Sequence, residues 1–418
     1  MLLKSSGVKS FDISKWAVKE AWEKVKANRG APGVDEETIA QFEAGLKGNL
    51  FKIWNRMSSG SYFPPPVRAV EIPKGPGRGI RILGVPTVAD RVAQTVVAAM
   101  IEERAEPVFH PDSFGYRRDR SALDAVAVCR RRCWESDWVV EFDIRSFFDS
   151  VPWPLVVKAV QAVCDVPWVV LYVKRWLAAP LELPDGTLQS RDKGTPQGSA
   201  VSPVLANLFL HFAFDMWMAR EHPGVRFERY ADDAVIHCQS LAQARHVLAA
   251  LDGRMTEVGL ELHPDKTRIV YCQDSNRRGK FEHTAFTFLG YTFRPRKADG
   301  PRGRFTSFSP AVSKEALKKM GTTVRSWKLH TRVDLSGRDL AQWINPVVRG
   351  WMHYYGAFYR TALHPLLARI NNYLMRWTRN KYKRLRGWKA AVQGWERAVT
   401  LRPDFFAHWT WASHPTPR

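Results

Sequence analysis

Residues 226–238, RFERYADDAVIHC, set Asp232 and Asp233 side by side between two apolar runs. Phe227, Tyr230, Ala234, Val235 and Ile236 are strand material: apolar, aromatic and partly β-branched. Successive strand side chains point to opposite faces, so adjacent carboxylates converge only where the chain turns. The stretch therefore predicts a hairpin with two negative charges at its tip. Two ionised carboxylates a few ångströms apart repel by about 4 kcal/mol at an effective dielectric of about 20. Such a pair stays charged only where a cation or hydrogen-bond donors neutralise it. Magnesium suits the place, because it binds a few carboxylates together with phosphate oxygens. Taken alone, two aspartates are also good turn formers, and the neighbouring segments must decide.

A third carboxylate, Asp143, lies within the strand-like run 138–148, WVVEFDIRSFF. Three aspartates at the ends of adjacent strands could hold two metals. One would activate a 3′-hydroxyl and the other would stabilise a pyrophosphate leaving group. The rest of the composition narrows the partner. A formal charge of +22 calls for a polyanion. A membrane surface is the competing polyanion, but the most apolar stretch, 201–219, is interrupted by Asn207, His211 and Asp215. Residues 302–418 hold 22 Lys+Arg against 5 Asp+Glu, and eight of the seventeen tryptophans. Basic residues interleaved with aromatics suit nucleic acid, because bases stack and phosphates pair. The five cysteines (129, 133, 164, 238 and 272) form no Cys-x-x-Cys pair, which favours a reducing cytoplasm and disfavours a zinc module. The N-terminal residues lack the apolar run of a secretion signal, and the expectation is a cytoplasmic protein.

With 418 residues, 45% of them hydrophobic, the chain predicts two or three domains with real cores. A helix is expected over 12–28, capped by Asp12 or Ser14, with Trp16, Ala21, Trp22 and Val25 as its stripe. A hairpin over 59–87 would bring Arg81 beside Lys74, and a helix would follow over 87–109. After the strand at 138–148 come a glycine-rich turn at 193–203 and a helix with Ser202 as N-cap and Pro203 at its first position. The aspartate hairpin is followed by a helix over 240–259 and by strands over 260–272 and 284–293. From about 310 the pattern is helical. One helix opens at Asn345–Pro346, and another, over 364–384, puts Leu366, Leu367, Ile370, Leu374 and Trp377 on one side. Arg369, Arg376, Arg379 and Lys383 fall on a different arc, roughly 220–300° round from Leu366. Strands and helices alternate in no strict βαβ rhythm, so the fold class is α+β.

Eight motifs now stand in order: GAPGVD (30–35), IPKGPGRGIRILGVPTVADRVAQ (72–94), SFGYRRDRSALDAV (113–126), EFDIRSFFDSV (141–151), KGTPQGSAVSPVLANLFL (193–210), RYADD (229–233), GLELHPDKT (259–267) and FLGYTF (288–293). In this series the chain resembles the group II intron-encoded reverse transcriptase/maturase family, and WINPVVRGWMHYYGAF (343–358) resembles that family's thumb, or domain X. The resemblance implies a right-hand polymerase: fingers at 1–125, a palm with an antiparallel sheet at 126–305, and an all-α thumb/maturase domain at 306–418. It implies an RNA-directed DNA polymerase that also binds its own intron RNA to assist splicing and mobility. The partners would be group II intron RNA, an RNA template with a DNA primer, target DNA and deoxynucleoside triphosphates (dNTPs). Two other readings share the motifs: a splicing cofactor with an inactive polymerase, and a domesticated reverse transcriptase in repair or defence.

Carried over by position, Asp143, Asp232 and Asp233, with the Ile144 carbonyl, would hold two Mg2+ ions, or Mn2+ in their place. Phe148 would stack under the nucleotide sugar and exclude a 2′-hydroxyl, or fill the core, or both. Lys74 and Arg81 would grip the triphosphate, as cations on a glycine-rich hairpin can, or be solvated strand charges. Gln197 would contact the incoming nucleotide. Lys266 would lie near the primer terminus or the metals, or be an exposed loop lysine. Arg91, Arg117 and Arg118 would touch template or brace the fingers, and Asp149 reads as structural. Ser199 stands where the family usually has glycine, which implies altered template contact with activity retained. The sequence shows no paired cysteines of an H-N-H endonuclease, so it resembles the endonuclease-lacking bacterial members, which prime from nicked or replication-associated DNA.

Overall fold

A computed structural model describes residues 9–73, 79–301 and 303–414. In chain order the elements begin with α1 (Lys15–Ala27), α2 (Ile39–Ala44), α3 (Leu46–Ser58), β1 (Val67–Pro73), β2 (Ile80–Val85) and α4 (Val88–Ala105). Next come α5 (Ala122–Glu135), β3 (Trp138–Phe142), α6 (Phe147–Ser150), α7 (Trp153–Val163), α8 (Pro167–Ala178), β4 (Leu181–Glu182) and β5 (Leu188–Gln189). The chain continues through α9 (Ser202–Leu210), a π-helical turn (His211–Asp215), α10 (Met216–Glu221), β6 (Arg226–Tyr230), β7 (Asp233–Cys238) and α11 (Leu241–Glu257). It closes with β8 (Arg268–Tyr271), β9 (Phe286–Phe288), β10 (Tyr291–Gly300), β11 (Gly303–Val312), α12 (Lys314–Ser326), α13 (Gly337–Tyr355), α14 (His364–Lys381) and α15 (Trp388–Leu401). Two compact units divide the chain. One takes Met1–Ser121, Phe142–Ile236 and Arg245–Thr267, and the other takes Ala122–Glu141, His237–Ala244 and Arg268–Arg418.

In the first unit, Ser14 caps α1 by accepting from the Trp16 amide. Val18, Ala21, Trp22 and Val25 are the buried stripe, at the i, i+3, i+4, i+7 spacing of a packed helix face. Trp16 is out of phase with that stripe and is 71% exposed. β1 and β2 pair antiparallel as expected of a hairpin, with Ile72 opposite Arg81. Lys74 lies outside the described residues. β4 joins β1 in parallel, so the sheet runs β2–β1–β4–β5 with one parallel pair.

β3 pairs antiparallel with β8, Val139 opposite Val270. Here the strand ends move inward from the sequence expectation. β3 stops at Phe142, and 147–150 coil into the single turn α6. Residues 263–267 turn on themselves, with the Lys266 and Thr267 amides donating to the His263 carbonyl, so β8 begins only at Arg268. Ser202 is the first residue of α9 rather than its cap, a place held by Val201, and Pro203 follows it in the first turn.

In the second unit β11 runs to Val312, and Ser313 then caps α12. α13 starts well before Asn345: Ser336 accepts from the Asp339 amide while the Asp339 carboxylate accepts from Ser336, a capping box. Pro346 therefore sits inside a helix, and the Asn345 side chain is buried, donating to the Phe405 carbonyl and accepting from the Ala407 amide. Leu340, Ile344 and Val348 of α13 pack with Leu367, Ile370 and Leu374 of α14 in one core. α14 ends at Lys381, which places Lys383 beyond the helix in a short 3-10 turn. All five cysteines are buried. Among the described residues no helix is long and apolar enough to cross a membrane.

Candidate active site

β6 and β7 meet at the turn the sequence required. Ala231 takes a left-handed conformation, φ 56°, which a residue with a Cβ adopts only when its surroundings impose it. The imposing group is Arg229, which is 1% exposed. Its Nε and Nη2 donate to the two Asp215 carboxylate oxygens, each at 2.6 Å. Its Nη1 donates to Asn207 Oδ1 at 2.7 Å and to the Ala231 carbonyl at 3.0 Å, and Nη2 also reaches Ser113 Oγ at 2.8 Å. A planar guanidinium can serve this many acceptors at once, and a lysine cannot. Burial works against the Asp215 charge, but Arg229 and His211 outweigh it and hold the carboxyl below its ordinary value. Gly115 packs against the same turn: a Cβ there would stand 2.3 Å from the Ala231 amide nitrogen.

Neither Arg229 nor Asp215 was a candidate from the sequence, although a signal existed. Asn207, His211 and Asp215 recur every fourth residue through the most apolar stretch of the chain. A polar line along one face of an apolar helix calls for a buried partner.

Asp143 follows directly on β3. Its carbonyl accepts from the His263 amide at 2.8 Å, Ile144 bridges Leu262, and the Arg145 amide donates to the Glu261 carbonyl. These contacts extend the pairing past the strand and bring in the 259–267 turn. Lys266 Nζ thereby lies 2.6 Å from Asp143 Oδ2. Asp232 feels the same charges. Burial pushes its pKa up and Asp143 adds to the rise, while Arg81 and Lys266 oppose it. Asp143, Asp232, Lys266 and Arg81 thus share one electrostatic neighbourhood, and Asp233, exposed, opens β7 beside them. Tyr116 also senses Asp232: burial first, then that carboxylate, raises its phenol. The donor set is hard oxygen, which fits magnesium, and the Lys266 ammonium already supplies one positive charge to Asp143.

Arg81, Phe148 and Gln197 line a single cavity of about 450 Å³, with Asp149 also on its wall. Phe148 is half-buried, lines this cavity and packs edge-on against Phe147. The Gln197 carbonyl accepts from the Gly84 amide at 2.7 Å. Gly198 beside it has φ 115°, and a Cβ there would fall 2.6 Å from the Gly84 carbonyl oxygen, so the turn requires glycine. Ser199 is buried, with its hydroxyl donating to Gln94 Oε1 at 2.7 Å, and is not presented to a template.

The other candidate cations take diverse positions. Arg91 donates to the Ala31 carbonyl, and Arg117 binds the Glu106 carboxylate and the carbonyls of His110 and Ser113. Arg118 is exposed, 3.8 Å from Glu102. In the second unit Arg369 and Arg376 are exposed on α14 and Lys383 is exposed after it. Arg379 donates to the Arg386 carbonyl and lies over the Trp388 ring.

Residues 72–293 match the family described as "Reverse transcriptase (RNA-dependent DNA polymerase)", and residues 317–395 match "Group II intron, maturase-specific domain". Protein YkfC of Escherichia coli (strain K12) is 30% identical over 308 residues, covering 63% of this chain and 77% of that one. The group II intron-encoded protein LtrA of Lactococcus lactis subsp. cremoris is 32% identical over 194 residues, 46% of this chain and 32% of LtrA. The putative COX1/OXI3 intron 1 protein of Saccharomyces cerevisiae is 28% identical over 357 residues, 72% of this chain and 41% of that protein. The matched region spans less than half the length of the last two.

Proposed function

For a chain that belongs to the reverse transcriptase (RNA-dependent DNA polymerase) family and carries a group II intron maturase-specific domain, we propose synthesis of DNA on an RNA template together with binding of group II intron RNA to assist its splicing and mobility. The observation that carries the reading is the convergence of Asp143 and Asp232, from distant segments, with Lys266 and Arg81 acting on them. Fingers at 1–125, a palm at 126–305 and a thumb at 306–418 complete the proposal.

Asp143, Asp232, Asp233 and the Ile144 carbonyl would hold two Mg2+ ions, which supply an activated 3′-hydroxyl and charge stabilisation of the pyrophosphate. Arg81, on the cavity wall, offers the forked donors that match a triphosphate. Phe148 would lie under the sugar and deny room to a 2′-hydroxyl, and Gln197 would contact the nucleotide from the opposite turn. Lys266 pairs with Asp143 and would place an ammonium within reach of substrate phosphate. Lys74 would join Arg81 on the triphosphate. Arg91, Arg117 and Arg118 would brace or touch template, while Arg369, Arg376, Arg379 and Lys383 would follow the RNA backbone.

The decisive experiment is Mg2+-dependent extension of a DNA primer annealed to RNA. The wild type extends and Asp232→Ala does not, while both bind group II intron RNA equally in a filter assay. A wild type that extends no primer with Mg2+ or Mn2+ removes the polymerase half of the proposal. RNA binding no tighter than that of an unrelated basic protein removes the other half.

A further inference from the structure

Behind the Gln197 turn runs a buried line of polar groups that no nucleotide could touch. Asp90, on the first turn of α4, is fully buried. Its Oδ1 accepts from the Tyr62 hydroxyl at 2.9 Å and the Trp176 indole at 2.7 Å, and its Oδ2 accepts from Gln94 Nε2 at 2.9 Å. The other end of the same amide, Gln94 Oε1, accepts from Ser199 Oγ at 2.7 Å and from the Ala200 amide at 2.8 Å. Asp90, Gln94 and Ser199 are 0%, 1% and 4% exposed, so water does not compete for these bonds.

The polarity of the line is forced. Asp90 as a carboxylate only accepts, so the end of Gln94 that faces it must be the NH2 group. That leaves the amide oxygen for the turn, where a backbone N–H and the serine hydroxyl both donate to it. A flipped Gln94 would set its NH2 against the Ala200 N–H and its oxygen against the Asp90 carboxylate. The Ser199 hydroxyl is therefore the last link of a chain anchored on Tyr62 and Trp176. On the far side of the same turn, the Gly84 amide holds the Gln197 carbonyl. The turn is clamped from both sides, and Gln197, held at its carbonyl, lines the cavity.

We propose that Ser199, with Gln94 and Asp90, is a positioning relay that fixes the 196–198 turn and thereby sets the affinity for the incoming dNTP without touching it. This rests on the reverse transcriptase reading of the cavity. A glycine at 199 would leave Gln94 Oε1 with the Ala200 amide alone and would loosen one side of the clamp.

The test uses the full chain with a DNA primer on an RNA template. Ser199→Ala removes only the hydroxyl and leaves the packing in place. Its KM for dNTP rises roughly three- to tenfold, the effect of one buried hydrogen bond, with kcat within about twofold of wild type. Gln94→Leu raises KM at least as far, and Ser199→Ala adds nothing further in that background, because the two act through one contact. Melting curves confirm that each variant is folded. An unchanged KM for Ser199→Ala, a fall in kcat at constant KM, or additive effects of the two substitutions would overturn the relay while leaving the polymerase reading intact. A wild type that extends no primer sinks that reading first. Calorimetric titration of dTTP into the protein on a dideoxy-terminated primer and poly(rA) template then still reads the relay: weaker binding by Ser199→Ala supports it, and equal or absent binding overturns it.

Discussion

Arg229 shows how much one side chain can decide. It is a fully buried cation that satisfies Asp215, Asn207, Ser113 and the strained carbonyl of Ala231 together, and the carboxylates at 232–233 stand where that carbonyl is held. Arg229→Lys keeps the charge and loses the fork. Two or more acceptors go unsatisfied, which costs about 2–4 kcal/mol of stability. Urea unfolding measures that loss, and primer extension by the folded variant should need a higher Mg2+ concentration to saturate. Wild-type stability and wild-type Mg2+ dependence would show that the turn holds without the clamp. The RYADD sequence announced the aspartates. It did not announce that the arginine two residues before the turn makes the turn.

Among the elements, α14 is a clear amphipathic case. Leu366, Leu367, Ile370, Leu374 and Trp377 are all buried, as their spacing requires. Its remaining buried polar residue, Asn371, accepts at Oδ1 from His408 Nε2 and from the Trp409 indole, tying the C-terminal turn to the helix. Burial pushes His408 down to about 3, and among the described residues no acceptor faces Nδ1, where a second proton would go. The folded state thus prefers the neutral ring, while the unfolded chain binds a proton near the ordinary value of 6.5. The stabilisation is full above pH 6.5 and is lost as the pH falls from there toward 3. His408→Gln removes this titration. Between pH 7 and pH 5 the wild type should lose more melting temperature than the variant, and parallel losses would assign the acid sensitivity elsewhere. Where element ends were misjudged, the cause is also local. Asn345–Pro346 is a strong start signal, but the Ser336–Asp339 capping box starts the helix earlier, and packing tolerates the proline inside it.

On the scale of the whole molecule, charge is the dominant property. A chain of +22 with 63 Lys+Arg would meet RNA mainly through phosphates and release counterions on binding. Its affinity for RNA should fall linearly on a log–log plot of salt, by orders of magnitude between ~50 and ~200 mM. Filter binding across that range checks it, and a flat line would mean that contacts other than phosphate carry the binding. The two compact units share the chain in interleaved segments, an arrangement that no composition shift along the sequence marks.

The sequence by itself determined the chemistry: three acidic groups in strand contexts, a glycine-dependent turn, a basic aromatic C-terminal region and eight motifs in order. Those signals are local, because periodicity and turn residues report which face is buried and where the chain must bend. Only the tertiary structure decided which buried polar groups satisfy one another. Asp215 and Arg229 are 14 residues apart, Gln94 and Ser199 are 105, and Asp143 and Lys266 are 123. No spacing rule reaches across such separations. A buried donor must find an acceptor, but which one it finds depends on how every intervening element packs.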